Sequence, residues 1–236
     1  MSGHSHFSSI KHKKGIADAK RSNIFSKIAR EITIAAKEGG DPGANSKLRA
    51  VMDKAKSVNM PSDNVTRAIK RGTGEEKGQA LEEILVEAYG PGGIAILIEG
   101  ITDNKNRSMG EIRQILGKYG GKPVEGGAVR WLFERKGIVT ATTTLSKEEA
   151  ELAAIDAGAE DVEWDEEIIE LQGSPMALEQ LRTTAQEKGF TIESSSLGWI
   201  PKETIEADEK AQRQAETLFE ALDEQDDIQN IYSNLK

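Results

Sequence analysis

Cysteine is absent from the 236-residue chain. That removes disulfide frameworks, thiolate zinc sites, iron–sulfur clusters, CxxC redox pairs and thiol nucleophiles. Histidine is almost absent: His4, His6 and His12 are the three present, so any imidazole chemistry is confined to an N-terminal arm rich in Ser and Gly. No stretch approaches the ~18 uninterrupted apolar residues of a membrane span. The opening MSGHSHFSSIKHKK is polar and basic, without an apolar signal core. A cytoplasmic protein with no membrane association is therefore expected, and at ~150 residues per domain the length suggests two or three domains.

What is present is charge, and it is segregated. The chain carries 31 Lys+Arg against 40 Asp+Glu, a net −9. Residues 1–74 hold 15 Lys+Arg and 6 Asp+Glu, for +9, whereas residues 75–236 hold 16 and 34, for −18. A basic module joined to an acidic body can hold a polyanion at one end even though the whole protein is acidic.

Hydrophobic periodicity supplies the organisation. Residues 16–38 repeat with a helical period, Ile24, Ile28 and Ile32 on one arc and Lys20, Lys27 and Arg30 on the other, ending at Gly39-Gly40. A second helix is predicted from Asn45 or Ser46 with Leu48, Val51 and Ala55 inward, and a third after Pro61 with Val65, Ala68 and Ile69 inward. Beyond Gly72-Thr73-Gly74 the period becomes that of strands. A hairpin runs through Ile84 to Ile98 about Gly90-Pro91-Gly92-Gly93, a helix spans 106–119, and Val129, Trp131 and Phe133 alternate as a further strand. Residues 137–197 read βαββαβ, the ferredoxin-like split pattern. A helix from about Ile205 and a last strand near Ile228 remain, and they complete the earlier set. The expected fold is α+β: a basic three-helix bundle with its arm (1–76), a middle α/β domain (77–136 plus 198–236), and a ferredoxin-like domain (137–197) inserted into the middle one.

Chemistry is sparse. The three histidines could hold zinc with one open position, the basis of an alternative reading as a metal-assisted hydrolase, but a Ser/Gly arm lacks the second shell that such ligands need. The acidic runs 160–167 and 223–227 miss the EF-hand spacing and read as solvated hairpin and helix ends. The glycine pairs match no phosphate loop and read as turns. In Asp103-Asn104-Lys105-Asn106-Arg107, Lys105 and Arg107 precede a helix and could meet phosphate, or the polar side chains could cap that helix. The strongest pattern is Lys11, His12, Lys13 and Lys14, then Lys20, Arg21, Lys27 and Arg30, joined by Lys70 and Arg71. A cationic stripe of this kind aligns with phosphates and gains counterion-release entropy at each one. No catalytic residue, metal site or cofactor is expected, and a monomer is anticipated. A protein-only adaptor is a third reading.

Several ordered motifs carry a resemblance. Ile10-Lys11-His12-Lys13, Asp18-Ala19-Lys20-Arg21, Gly39-Gly40-Asp41-Pro42, Arg67-Ala68-Ile69-Lys70-Arg71-Gly72, Tyr89-Gly90-Pro91-Gly92-Gly93, Thr102-Asp103-Asn104-Lys105-Asn106-Arg107 and Asp227-Ile228-Gln229-Asn230-Ile231-Tyr232 span the chain from arm to C-terminus. In these the protein resembles the YebC family. The resemblance implies three domains, no catalytic residues, and a regulator of gene expression that binds nucleic acid. That is either duplex DNA, as a transcriptional regulator, or ribosomal RNA, as a ribosome-associated translational activator that relieves stalling. The chain departs from the family pattern at His6-Phe7, where Lys-Trp is common, and in the loop Gly121 to Gly127.

Overall fold

A computed structural model describes residues 18–236 of the chain, and side chains from residue 21 onward. Three helices come first: α1 (Asp18–Ala35), α2 (Ser46–Ser57) and α3 (Ser62–Thr73). Strands β1 (Glu82–Tyr89) and β2 (Ala95–Thr102), helix α4 (Lys105–Lys118) and the short strand β3 (Lys122–Val124) follow. The chain continues through β4 (Phe133–Thr143), α5 (Lys147–Asp156), β5 (Asp161–Asp165), β6 (Ile168–Gly173), α6 (Leu178–Glu187) and β7 (Phe190–Pro201). It ends with α7 (Glu209–Asp223) and β8 (Ile228–Ser233). The protein is thus a mixed α+β chain with two four-stranded sheets, ordered β3-β1-β2-β8 and β5-β6-β4-β7. By its contacts it divides into two compact units, one of Glu134–Ile200 and the other of the segments on either side of it.

In the helical segment, Ile28, Ile32, Leu48, Ala55, Met60 and Ala68 form the core, with Phe25 packed against it. Asn45 organises the first corner. Its side-chain oxygen caps α2 by accepting the Leu48 N–H at 3.0 Å, while its amide donates to the Ala35 and Gly39 carbonyls, both at 2.8 Å. A buried polar side chain is stable here because every donor has a partner. At Gly72 helices α1 and α3 touch: a Cβ there would stand 2.4 Å from the Thr33 carbonyl oxygen.

Alternation builds the first sheet. Ile84, Val86 and Ala88 of β1 and Ile96 and Ile98 of β2 face Ile112 and Leu116 of α4 and Leu218, Phe219 and Leu222 of α7. Both helices are capped, α4 by Asn104 accepting from Arg107 N at 3.1 Å and α7 by Asp208 accepting from Ala211 N at 2.7 Å. In the Glu134–Ile200 unit, Val139, Ala141, Ile169 and Leu171 of the sheet pack on Ala150 and Ala154 of α5 and Leu181 and Ala185 of α6. A full capping box between Ser146 and Glu149 starts α5.

Two elements differ from the sequence expectation. Residues Val129 to Phe133 do not form a strand: Arg130–Leu132 is a turn of 3-10 helix, and β4 begins only at Phe133. The reason is Glu87, whose buried carboxylate accepts the N–H groups of Gly127, Val129 and Arg130. The strand that pairs with β1 is instead Lys122–Val124, with Pro123 tolerated because it lies on the sheet edge. The last helix starts at Glu209 rather than near Ile205, which forms a parallel bridge to Leu235.

Candidate nucleic-acid interface

The cations singled out in the sequence fall into three groups. Lys11, His12, Lys13 and Lys14 and the side chain of Lys20 lie outside the described residues, as do His4 and His6. Arg21, Lys70, Arg71 and Lys105 are exposed, Arg71 meeting Glu76 at 3.3 Å. Lys27, Arg30 and Arg107 face carboxylates of the protein itself.

That third group forms a clasp. Lys27 Nζ donates to the Asp223 carbonyl at 2.6 Å and to its carboxylate at 3.0 Å. Asn23 Nδ2 reaches the Glu224 carbonyl at 3.2 Å, and Arg30 donates to the Asp226 carbonyl. Asn23, Lys27 and Arg30 recur on one stripe of α1, and this stripe meets the C-terminal end of α7, where exposed carbonyls favour cations. At the centre is Asp227, its side chain only 2% exposed, accepting from Arg30 Nη1 at 2.8 Å, Arg107 Nη2 at 2.8 Å, Ser108 Oγ at 2.5 Å and Thr102 Oγ1 at 3.2 Å. Burial pushes this carboxyl up. The Ser108 hydroxyl and the two guanidinium groups outweigh that effect and hold it below the ordinary Asp value. Reciprocally, the hydrogen bond that Arg107 donates to Asp227 raises the guanidinium above its ordinary value.

With Lys27 and Arg30 engaged, the cationic face of the helical segment among the described residues lies on α3. Arg67, Lys70 and Arg71 are exposed and project opposite Val65, Ala68 and Ile69, three and four positions apart. Arg67 lies outside the cationic stripe that the sequence pattern points to. Its signal was the helical period itself, which puts residue 67 on the same outward arc as 70 and 71. At the start of α4 the capping reading accounts for Asn104, and Asp103 pairs with Arg107 at 2.8 Å. Lys105 is exposed beside them.

A second surface feature lies on the edge of the first sheet. Glu87 collects the Gly127 and Val129 N–H groups at 2.6 Å and that of Arg130 at 2.8 Å. Burial pushes its carboxyl up, but the three backbone donors bring it below the ordinary Glu value. The loop so anchored carries Trp131, 63% exposed, with its indole N–H donated back to the Ala128 carbonyl at 3.0 Å. One pleat along β1, Tyr89 stands opposite Lys122 of β3, and these two with Gly90, Gly93, Gly120 and Gly121 line a hollow of about 490 Å³. Gly93 has φ +79 and open space where a Cβ would stand. Among the described residues no group of three His, Asp or Glu side chains is placed to hold a metal ion, and no helix is long and apolar enough to cross a membrane.

Comparison with known proteins agrees along the whole length. A probable transcriptional regulatory protein of Geobacter sulfurreducens is 46% identical over 99% of this chain and 95% of its own, and one from Dehalococcoides mccartyi is 45% identical over 99% and 94%. The crystal structure of a conserved hypothetical protein from Aquifex aeolicus superposes with a TM-score of 0.90 at 39% identity, covering 97% of this chain and 96% of the other. Residues 5–75 match the model of the TACO1/YebC protein N-terminal domain, and residues 81–235 that of the TACO1/YebC second and third domain. The chain therefore belongs to the TACO1/YebC family.

Proposed function

We propose that this protein is a non-enzymatic, nucleic-acid-binding regulator of gene expression that works as a cytoplasmic monomer. In this reading the helical module and its basic arm contact phosphates, and the acidic remainder shapes the complex or recruits a partner. One observation carries it: Arg67, Lys70 and Arg71 present an exposed cationic face on a module of +9, joined to a body of −18. Such contacts set position on any phosphate backbone and do not by themselves select duplex DNA or ribosomal RNA. The relatives named as probable transcriptional regulatory proteins support a regulatory role. We read the architecture in the same terms, as a helical module and a middle α/β domain closed by its C-terminal strand, with a ferredoxin-like domain inserted.

The test is a competition near physiological salt between purified ribosomes and promoter-rich duplex DNA for labelled protein. The comparison is wild type against the triple variant Arg67→Glu, Lys70→Glu, Arg71→Glu. Retention that the triple variant loses is expected, with the slope of log affinity against log salt falling by about two to three. Retention on ribosomes would make the protein a translation factor, and retention on a subset of DNA fragments a transcriptional regulator. Equal retention of both proteins would refute the phosphate role of α3.

A further inference from the structure

We propose that Trp131, together with the Tyr89/Lys122 hollow on the β1 face that anchors its loop, is a stacking site for unpaired bases of single-stranded nucleic acid. The inference rests on the nucleic-acid reading above and adds to it a second contact, far from α3 in sequence, that takes bases rather than phosphates.

An exposed indole presents a large, flat apolar face on which a planar ligand can pack. The chain has three tryptophans, and this one is 63% exposed. Nor does the ring sit on a loose loop. Three backbone donors on the Glu87 carboxylate fix residues 127–130, and the Leu132 carbonyl accepts the Lys202 N–H at 2.9 Å. The indole N–H is already used on Ala128, so what Trp131 offers a ligand is a π-face without a hydrogen-bond demand. That is the chemistry of sequence-tolerant base stacking, which succeeds because every base has a π-face.

Register extends the site. Leu85, Glu87 and Tyr89 share the outward face of β1, since the intervening Val86 and Ala88 point into the core. Glu87 is satisfied by the loop, and Leu85 is 39% exposed. Tyr89 and Lys122, directly paired across β1 and β3, stand about 7 Å further along. The aromatic group, the cation and the glycine-walled hollow thus lie on the same face of β1 as Glu87, the carboxylate that anchors the Trp131 loop, with no Cβ from Gly93 to fill the space. Charge fits the same occupant. Residues 117–133 carry Lys118, Lys122 and Arg130 against Glu125, and with the anchoring Glu87, whose charge Arg130 offsets, the surface keeps a net +1 within a body of −18. Stacking rings interleaved with cations suit a single strand. A paired duplex keeps its base faces inside the stack and gives this surface nothing to hold.

The experiment measures affinity by fluorescence anisotropy for a labelled mixed-sequence 12-nucleotide RNA and for its duplex with the complementary strand. The proteins are wild type, Trp131→Ala, Trp131→Phe and the α3 triple variant. The expected result is a loss of ten- to a hundredfold for the single strand with Trp131→Ala, recovery with Trp131→Phe, and duplex affinity unchanged by either. A single strand bearing 5-iodouridine should crosslink to Trp131. If Trp131→Ala binds the single strand within twofold of wild type while the triple variant weakens both RNAs, the stacking inference fails and the phosphate reading stands. If wild type and all variants bind both RNAs equally weakly, both fail. An unchanged RNA affinity also leaves the ring to a protein partner and overturns the proposal.

Discussion

Replacing Glu170 by Gln should make the Glu134–Ile200 unit more stable at pH 8 and leave it nearly unchanged in mild acid. Glu170 lies in β6, the strand between β5 and β4, directly opposite Glu163 on one side and Thr140 on the other. Burial, then the like charge of Glu163, raises its carboxyl to about 7 from 4.5, against a counteracting hydrogen bond from Gln172 at 3.1 Å. Glu163 is itself raised, by burial and by Asp161. A raised folded-state value means that the folded protein binds the proton more tightly than the unfolded chain does. Stability therefore falls as pH climbs from about 4.5 to 7, and the cost is complete above that. At ~1.4 kcal/mol per unit the shift corresponds to about 3 kcal/mol at pH 8. Gln keeps the volume and the polar contact to Gln172 and removes the charge. Urea denaturation followed by tryptophan fluorescence reports the unit through Trp164 and Trp199. The difference between variant and wild type should grow by roughly 2 to 3 kcal/mol between pH 4.5 and 8. Parallel stability profiles for the two proteins would refute the reasoning, since they would mean that water reaches the carboxyl in the folded state.

Asp227→Ala should cost about 3 to 5 kcal/mol in the same denaturation assay, because it strands Arg30, Arg107 and Ser108 around a buried position. A loss below about 1 kcal/mol would show that the clasp is solvated. Since the folded carboxyl is depressed, its contribution is present above the ordinary Asp range and disappears as pH falls through the folded value; acid unfolding monitored by circular dichroism should begin at higher pH in Arg30→Gln. Gly72→Ala should destabilise the helical module by about 1 to 3 kcal/mol, because the new Cβ meets the Thr33 carbonyl and the Ala36 methyl; a thermal midpoint equal to wild type would contradict the close α1–α3 crossing.

Periodicity made most elements legible, because burial on one face leaves a trace at every third or fourth residue of a helix and every second residue of a strand. It failed where a single side chain overrode the local pattern. The alternation of Val129, Trp131 and Phe133 is that of a strand, yet Glu87, more than forty residues earlier, takes the N–H groups that a ladder would need. Lys122–Val124 was unreadable for the opposite reason: it is three residues long and contains Pro123, and only pairing with β1 makes it a strand. Arg67 was visible in the helical period of α3 but was outweighed by the denser run of charges in the arm and α1.

The clasp shows what charge counting along the sequence leaves out. On α1 the cations stand opposite the apolar arc, which the pattern of that helix equates with solvent. The acidic run 223–227, by the same logic, reads as a solvated helix end. Each reading is sound locally, and each lacks its partner, because Lys27 and Asp223 are 196 residues apart in sequence. Once they are joined, the −18 of the body is no longer uniformly at odds with the proposed polyanion binding. Part of it neutralises the stripe of α1 that faces the α7 end, and that contact fixes the helical module with the Arg67, Lys70 and Arg71 face of α3 exposed. In the proposed function the acidic body contributes by holding the module in place, and weakening the clasp should then lower polyanion affinity even though no α3 cation is touched. Ribosome or DNA retention by Asp227→Asn at physiological salt reads this directly. Wild-type retention in a folded Asp227→Asn protein would separate the clasp from binding and confine it to stability.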